Sequence, residues 1–185
     1  MQQLKTDLSQ YSKTLDTKSS RLKTILWYFC NILFIRNRWN VFVGFKLALL
    51  RLFGAKVGKQ VVIKPGVNIK FPWLLQIGDN SWIGEGVWID NLTQVTIGSN
   101  CVLSQGAMLL TGNHNYKKTT FDLINKPINI EDGAWIGAQS VVCPGITVQT
   151  HAILTVSSVA VRNLEAYTIY MGNPAVKIRK RGIVS

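Results

Sequence analysis

Residues 57–109 read VGKQVVIKPGVNIKFPWLLQIGDNSWIGEGVWIDNLTQVTIGSNCVLSQGAML, and this stretch decides the fold. Val57, Ile63, Ile69, Ile77, Ile83, Ile89, Ile97, Leu103 and Leu109 follow one another at six-residue steps, lengthened twice to eight. After one 21-residue step the frame resumes at Ile130, Ile136, Val142, Val148 and Leu154. Glycine often follows the anchor (Gly58, Gly78, Gly84, Gly98, Gly137), and the fourth residue after it is often small or β-branched, as at Ser81, Val87, Cys101, Ala107, Ala134, Ser140 and Ala152. A period of six matches neither the 3.6 of a helix nor the alternation of a half-buried strand. It matches a chain that makes one short strand and one corner per hexad, with the anchor pointing inward and glycine easing the corner through positive φ. Three hexads close a triangular coil of about 18 residues, and such coils stack ~4.8 Å apart by sheet hydrogen bonding. The 14 hexads amount to ~4.7 coils, a prism ~22 Å tall. The expected fold class is therefore an all-β solenoid, a parallel β-helix of hexapeptide repeats, rather than a sandwich of alternating strands.

Four segments follow: a polar arm at 1–19, an apolar and basic helical segment at 20–55, the repeats at 56–163 with an extruded loop at about 111–127, and a basic segment at 164–185. Of 185 residues, 47% are hydrophobic, enough for a substantial core and too many for a disordered chain. The 21 Lys+Arg against 9 Asp+Glu are unevenly spread: net +11 over 1–70, −3 over 71–161 and +4 over 162–185. A nucleic-acid binder wants its charge on one continuous face, so the acidic middle argues against that class. Between Ser20 and Ala55 the aromatics Trp27, Tyr28, Phe29, Trp39 and Phe42 alternate with Arg36, Arg38, Lys46 and Arg51. One reading is a cap over the open end of the prism; the other is contact of 25–53 with a membrane interface, and both can hold. The apolar run Ile25–Ile35 has 11 residues, short of the roughly 20 that cross a bilayer. The opening 20 residues are polar and lack a secretory core, so the expected location is the cytoplasm, extending to the inner face of the cytoplasmic membrane.

The two histidines differ in setting. His114 lies in the extruded loop TGNHNYKKTTFDLINKP, a setting that can leave an imidazole partly exposed and within reach of a substrate. His151 falls at a regular corner and reads as a surface residue. Zinc hydrolases commonly use three protein ligands, so two histidines 37 residues apart disfavour a metal site. Cys30, Cys101 and Cys143 are too scattered for a disulfide framework, and the last two occupy core-like positions. Asp79, Glu131 and Asp132 read as solvated corner residues; Asp90, Asn91 and Asp122 fall at coil levels near the loop.

The hexads, the TGNH loop, WIGAQSVVCPGITV and the terminal YMGNPAVKIRKR together resemble the hexapeptide-repeat acetyltransferases, most of all the colanic-acid and exopolysaccharide type that acetylate sugar hydroxyls. The resemblance runs from about Leu50 to Arg181. It implies a left-handed coil, a homotrimer, acetyl-CoA as co-substrate without a metal, and a sugar, nucleotide-sugar or lipid-linked glycan as acceptor. It also implies His114 as general base and the backbone N–H of Ala138 as oxyanion donor. Asp90 or Asn91 would contact the acceptor. Ala138, Val156, Val161, Arg162, Lys177 and Arg179 would contact the cofactor, with Lys180 as an added phosphate partner. Val176 stands where some relatives carry an arginine, leaving Lys177 to substitute. The competing expectation is a prism kept as a non-catalytic scaffold at the membrane face, in which His114 is dispensable.

Overall fold

A computed structural model describes residues 4–11 and 18–184; the remainder of the 1–19 arm (1–3 and 12–17) and residue 185 lie outside the described residues. The repeats wind into a three-faced parallel solenoid. Face A stacks Lys56–Val57, Leu75–Ile77, Val95–Ile97, Ile128–Ile130 and Thr147–Val148. Face B stacks Val62–Ile63, Trp82–Ile83, Val102–Leu103, Trp135–Ile136, Ile153–Leu154 and Thr168–Gly172, closed by the antiparallel Ala175–Lys180. Face C stacks Asn68–Ile69, Trp88–Asp90, Met108–Leu110, Val141–Val142 and Val159–Ala160.

Of the 14 anchors, 13 are buried and Val57 is half-buried, so a single apolar column fills the prism along its length. The small inward positions turn the corners; where they are polar, their hydroxyls serve the neighbouring coil, as Ser81 Oγ does on the Gly98 carbonyl at 2.8 Å and Ser140 Oγ on the Thr155 carbonyl at 2.6 Å. The coil length differs from the expected 18. Register partners are 20 residues apart in the lower coils (Val57↔Ile77↔Ile97) and 18 apart above (Ile130↔Val148). The two extra residues sit at the corner between faces C and A, where Pro72–Leu74 makes a short 3-10 turn, and the extruded loop leaves from the same corner.

The corners depart from expectation in the role of their glycines. The glycines after the anchors do not have positive φ. A Cβ on Gly78 would lie 2.5 Å from the Gly98 carbonyl carbon, and one on Gly137 2.6 Å from the backbone of Thr155 and Val156. These positions need glycine for the close approach of the next coil. The left-handed conformations fall two residues further on, at Gly86, Gly106, Gln139 and Ser157 on the corner between faces B and C. The corner acids do stand at solvated corners, Asp79 and Asp132 exposed and Glu131 half-buried, and there they also staple neighbouring coils. Asp79 Oδ1 accepts from Lys59 N and Asp132 Oδ1 from Ser99 N, each at 2.7 Å, and Glu131 Oε2 accepts from Thr150 N at 2.8 Å.

Helix α1 (Arg21–Cys30), prolonged by a wider turn at Asn31–Ile35, and helix α2 (Val43–Leu52) close one end of the prism. Ser20 caps α1 by accepting from Lys23 N. Trp27, Asn31 and Ile35, spaced by four, form the inward stripe: Trp27 Nε1 donates to the Ile69 carbonyl at 2.9 Å and Asn31 Nδ2 to Asn68 Oδ1 at 2.7 Å. The cap also buries Lys46 completely, with its ammonium 3.4 Å from the Ile63 carbonyl; this burial pulls its pKa down. At the other end, the segment from 164 onward extends face B as a further rung and an antiparallel return strand. It carries no hexads because Tyr170 takes the place of the aliphatic anchor.

Candidate active site

The loop forms a small antiparallel hairpin, Gly112–His114 against Leu123–Asn125, beyond the C–A corner. Leu123 packs on the Phe71, Leu74 and Leu92 cluster, which pins the hairpin to this edge. Opposite His114 the chain turns back so that the Phe121 carbonyl lies 2.9 Å from Nδ1. A carbonyl only accepts, so Nδ1 carries the proton and Nε2 is left with its lone pair. The imidazole is half-buried, stacked on the Phe121 ring at 4.5 Å and flanked by Tyr11 at 5.9 Å. The arm bearing Tyr11 reaches the loop through Asp7 N, which donates to the Thr119 carbonyl at 2.8 Å.

Asp90 ends its strand on the same edge. Its backbone carbonyl accepts from Thr111 Oγ1 at 2.9 Å, and its carboxylate pairs with Lys70 Nζ at 2.8 Å. Asn91 is fully buried, with Oδ1 accepting from Phe71 N at 3.0 Å and Nδ2 donating to the Phe71 carbonyl at 2.6 Å. Its amide thus holds the corner, and of the two candidates only Asp90 faces open space. That space is a cleft of about 350 Å³ between α1 and face C, walled by Tyr28, Arg36, Asn68, Lys70, Trp88 and Asp90. Asp122 instead pairs with Lys118 at 2.9 Å, and the Thr120 hydroxyl first, then Lys118, hold its carboxyl below the usual range.

Ala138 lies on a different edge. Together with Gln139 it forms the B–C corner, and Val156 with Ser157 forms the one above, joined by Ser157 N donating to the Ala138 carbonyl at 2.8 Å. Among the described residues the N–H of Ala138 has no protein acceptor, and neither has that of Val156. Proline occupies the equivalent corner position at Pro65, followed by left-handed Gly66. Val161 and Arg162 are exposed just past the last strand of face C. Arg179 is exposed on the return strand, whereas Lys177 is engaged by Glu165 at 2.6 Å, which raises its pKa. Lys180 reaches Thr168 Oγ1 at 3.0 Å.

One chain therefore brings His114 and Asp90 to its C–A edge and the Ala138–Val156 amides to its B–C edge. His151 stacks on Tyr167 at 4.7 Å in a left-handed corner and bonds Thr150 Oγ1 at 2.8 Å, on the remaining corner between faces A and B. Burial pushes the Cys101 thiol up to about 11 and raises Cys143, so neither is a thiolate at neutral pH. No three His, Cys, Asp or Glu side chains cluster among the described residues. Sequence reasoning missed Lys70 and the Phe121 carbonyl. The first was within reach, since a 20-residue coil stacks Lys70 on Asp90; the second depends on the loop's own turn, which no period encodes.

Residues 75–110 and 127–154 match the family described as the hexapeptide repeat of succinyl-transferase. The chain is 36% identical over 176 residues to "Putative colanic acid biosynthesis acetyltransferase WcaF" of Escherichia coli (strain K12), covering 95% of this chain and 97% of that one. The galactoside O-acetyltransferase of the same organism is 25% identical over 136 residues, 72% of this chain and 67% of that one. In fold it is similar to a hexapeptide-repeat acetyltransferase of Vibrio cholerae O1 biovar eltor solved with acetyl coenzyme A, with a TM-score of 0.78, 22% identity and 92% of each chain covered. With its coils, its loop histidine and a relative matched over nearly its whole length, the chain belongs to the hexapeptide-repeat acetyltransferases.

Proposed function

We propose that the protein transfers the acetyl group of acetyl-CoA to a sugar hydroxyl during exopolysaccharide or related glycan assembly, with His114 as general base. The carrying observation is the His114 ring itself: Nδ1–H is committed to the Phe121 carbonyl, so Nε2 is an acceptor on a half-buried edge shared with Asp90. A sugar hydroxyl is a weak nucleophile at pH 7, and a base that titrates near the working pH removes its proton efficiently. Nε2 takes that proton as the hydroxyl oxygen bonds to the thioester carbonyl carbon. The resulting oxyanion accepts from the unpaired N–H of Ala138. Collapse breaks the carbon–sulfur bond, and the departing thiolate recovers the proton from Nε2, giving an ester and free CoA.

Because base and donor lie on opposite edges of face C, the site is completed by a second copy, His114 from one and Ala138 from the next. The outward residues support a ring of this kind. Face A presents Lys56, Gln76, Thr96, Asn129 and Thr147, whereas face B presents Trp82, Val102 and Trp135, and face C Trp88, Met108 and Val141. Two different apolar faces meeting head to tail make a closed cyclic assembly, here a homotrimer. Along the B–C edge the amides of Ala138 and Val156 suit the amide-bearing arm of the co-substrate. Val161, Arg162 and Arg179 lie toward its anionic end, and Lys177 joins them once its pairing with Glu165 opens. Asp90, positioned by Lys70, accepts from acceptor hydroxyls, with Tyr28 and Trp88 offering apolar faces to a sugar ring. Asn91 acts through the corner it holds.

The test is CoA thiol release from acetyl-CoA against sugars, nucleotide sugars and lipid-linked glycans, for the parent and His114→Ala. Acceptor-dependent release that falls ~10²-fold or more in the variant is expected. A protein that fails to bind acetyl-CoA by calorimetry would instead be a non-catalytic scaffold.

A further inference from the structure

The capping helices are apolar on the outside as well as the inside. A helix at a protein surface ordinarily shows solvent a polar face. Opposite the buried stripe of Trp27, Asn31 and Ile35, helix α1 and its wider turn expose Leu22, Leu26, Phe29 and Leu33, spaced by three or four along one line. Phe34 meets Phe45 edge-on at 5.2 Å, which joins this surface to that of α2. Between the helices Trp39 is 91% exposed and Phe42 72%. Of the 28 large hydrophobic side chains exposed among the described residues, 13 fall between Leu22 and Leu52, which makes this a patch and not scatter.

Its charge identifies what covers it. From residue 17 to residue 78 the chain has 11 Lys+Arg and no Asp or Glu, and Arg21, Arg36 and Arg38 are exposed around the aromatics. A second copy docked through this surface would bring cations against cations with no carboxylate to pair them. Among the described residues no helix is long and apolar enough to cross a membrane. Aromatic and aliphatic side chains ringed by arginine, on helices too short to span, fit the boundary between acyl chains and anionic headgroups. We propose that the cap, α1 through α2 with Trp39 and Phe42 leading, lies in the surface of an anionic phospholipid bilayer. Burying these side chains removes them from water, and the arginines are attracted to the headgroups over about a Debye length, ~8–10 Å at ordinary salt. Arg21, Arg38, Trp39 and Phe42 are not among the residues that line the cleft beside Asp90.

The test is sedimentation of the full chain with phosphatidylglycerol/phosphatidylcholine vesicles and with phosphatidylcholine vesicles alone. We expect at least tenfold tighter partition to the anionic vesicles, weakened by 0.5 M salt, and a further tenfold loss in Trp39→Ser/Phe42→Ser. Arg21→Glu/Arg38→Glu should lose the preference for anionic lipid. Both pairs are exposed, so circular dichroism and the size of the assembly by light scattering should match the parent. Failure of the parent to sediment with anionic vesicles, or equal binding to neutral ones, would overturn the proposal. A smaller assembly in Trp39→Ser/Phe42→Ser would also overturn it, by making the patch a contact between copies.

Discussion

Ala138→Pro removes one hydrogen and almost nothing else. Ala138 is the first corner residue of a turn whose second, Gln139, is left-handed with φ of 56°. Proline suits the first position of such a turn, and the protein already places Pro65 before left-handed Gly66 at the same corner of a lower coil. The Ala138 N–H has no protein acceptor among the described residues, so no structural hydrogen bond is lost. The carbonyl that accepts from Ser157 N at 2.8 Å remains. Stability should therefore stay within ~1 kcal/mol of the parent, with a slight gain if proline restricts the unfolded chain. If this N–H holds the oxyanion, its loss costs ~2.7–4 kcal/mol of transition-state stabilisation, a fall of ~10²–10³ in kcat. Glu85→Pro, two coils below on the same corner, is the matched control and should keep full activity. Steady-state thiol release on both variants, with their denaturant midpoints, decides the matter. A folded Ala138→Pro enzyme at parental kcat, or an equal loss in Glu85→Pro, would refute the oxyanion assignment.

Gly78→Ala should destabilise by ~2–3 kcal/mol, because its Cβ would meet backbone of the next coil at 2.5 Å, whereas Gly86→Ala has open space and costs only the ~1–2 kcal/mol of left-handed strain. Urea midpoints that rank the two in the opposite order would contradict the close-approach explanation. Lys46→Met should stabilise the fold at pH 7 by ~1–3 kcal/mol, since it replaces a fully buried amine that has one long hydrogen bond. The folded pKa of Lys46 lies below its unfolded value of 10.5, so the unfolded state binds the extra proton and parental stability climbs with pH through that window. The methionine variant should lose that climb, as urea unfolding at pH 7 and 9.5 would reveal. Asp90→Asn keeps the shape but loses the charge that pairs with Lys70; it should raise KM for the acceptor more than KM for acetyl-CoA.

Much of this was legible in the sequence because the inward residue of each hexad answers to one requirement, filling the axis of the prism. The steps that broke the rhythm were equally informative. Ile69 to Ile77, Ile89 to Ile97 and Leu109 to Ile130 all fall on the C–A corner, the edge that carries Asp90 and His114. Averaging them into an 18-residue coil hid the stacking of Lys70 on Asp90, which a 20-residue coil makes plain. Ala160 completes face C but escaped a frame restricted to Ile, Leu and Val. The glycines were found for the wrong reason, since a pattern cannot separate a residue chosen for its φ from one chosen for the space beside it. The Phe121 carbonyl that sets the His114 tautomer, the Tyr11 contact and the burial of Lys46 arise from three-dimensional neighbours with no fixed spacing, and no periodic reading contains them.

A site shared by two copies is tested directly by mixed assemblies. Co-expressing His114→Ala and Ala138→Pro chains under different tags, and purifying assemblies that carry both, leaves the proposed trimer with one junction where an intact histidine edge faces an intact amide edge. Those trimers should recover about one third of the parental rate, although each variant alone is ~10²-fold down. Mixed trimers no more active than the variants alone would contradict a site built between copies.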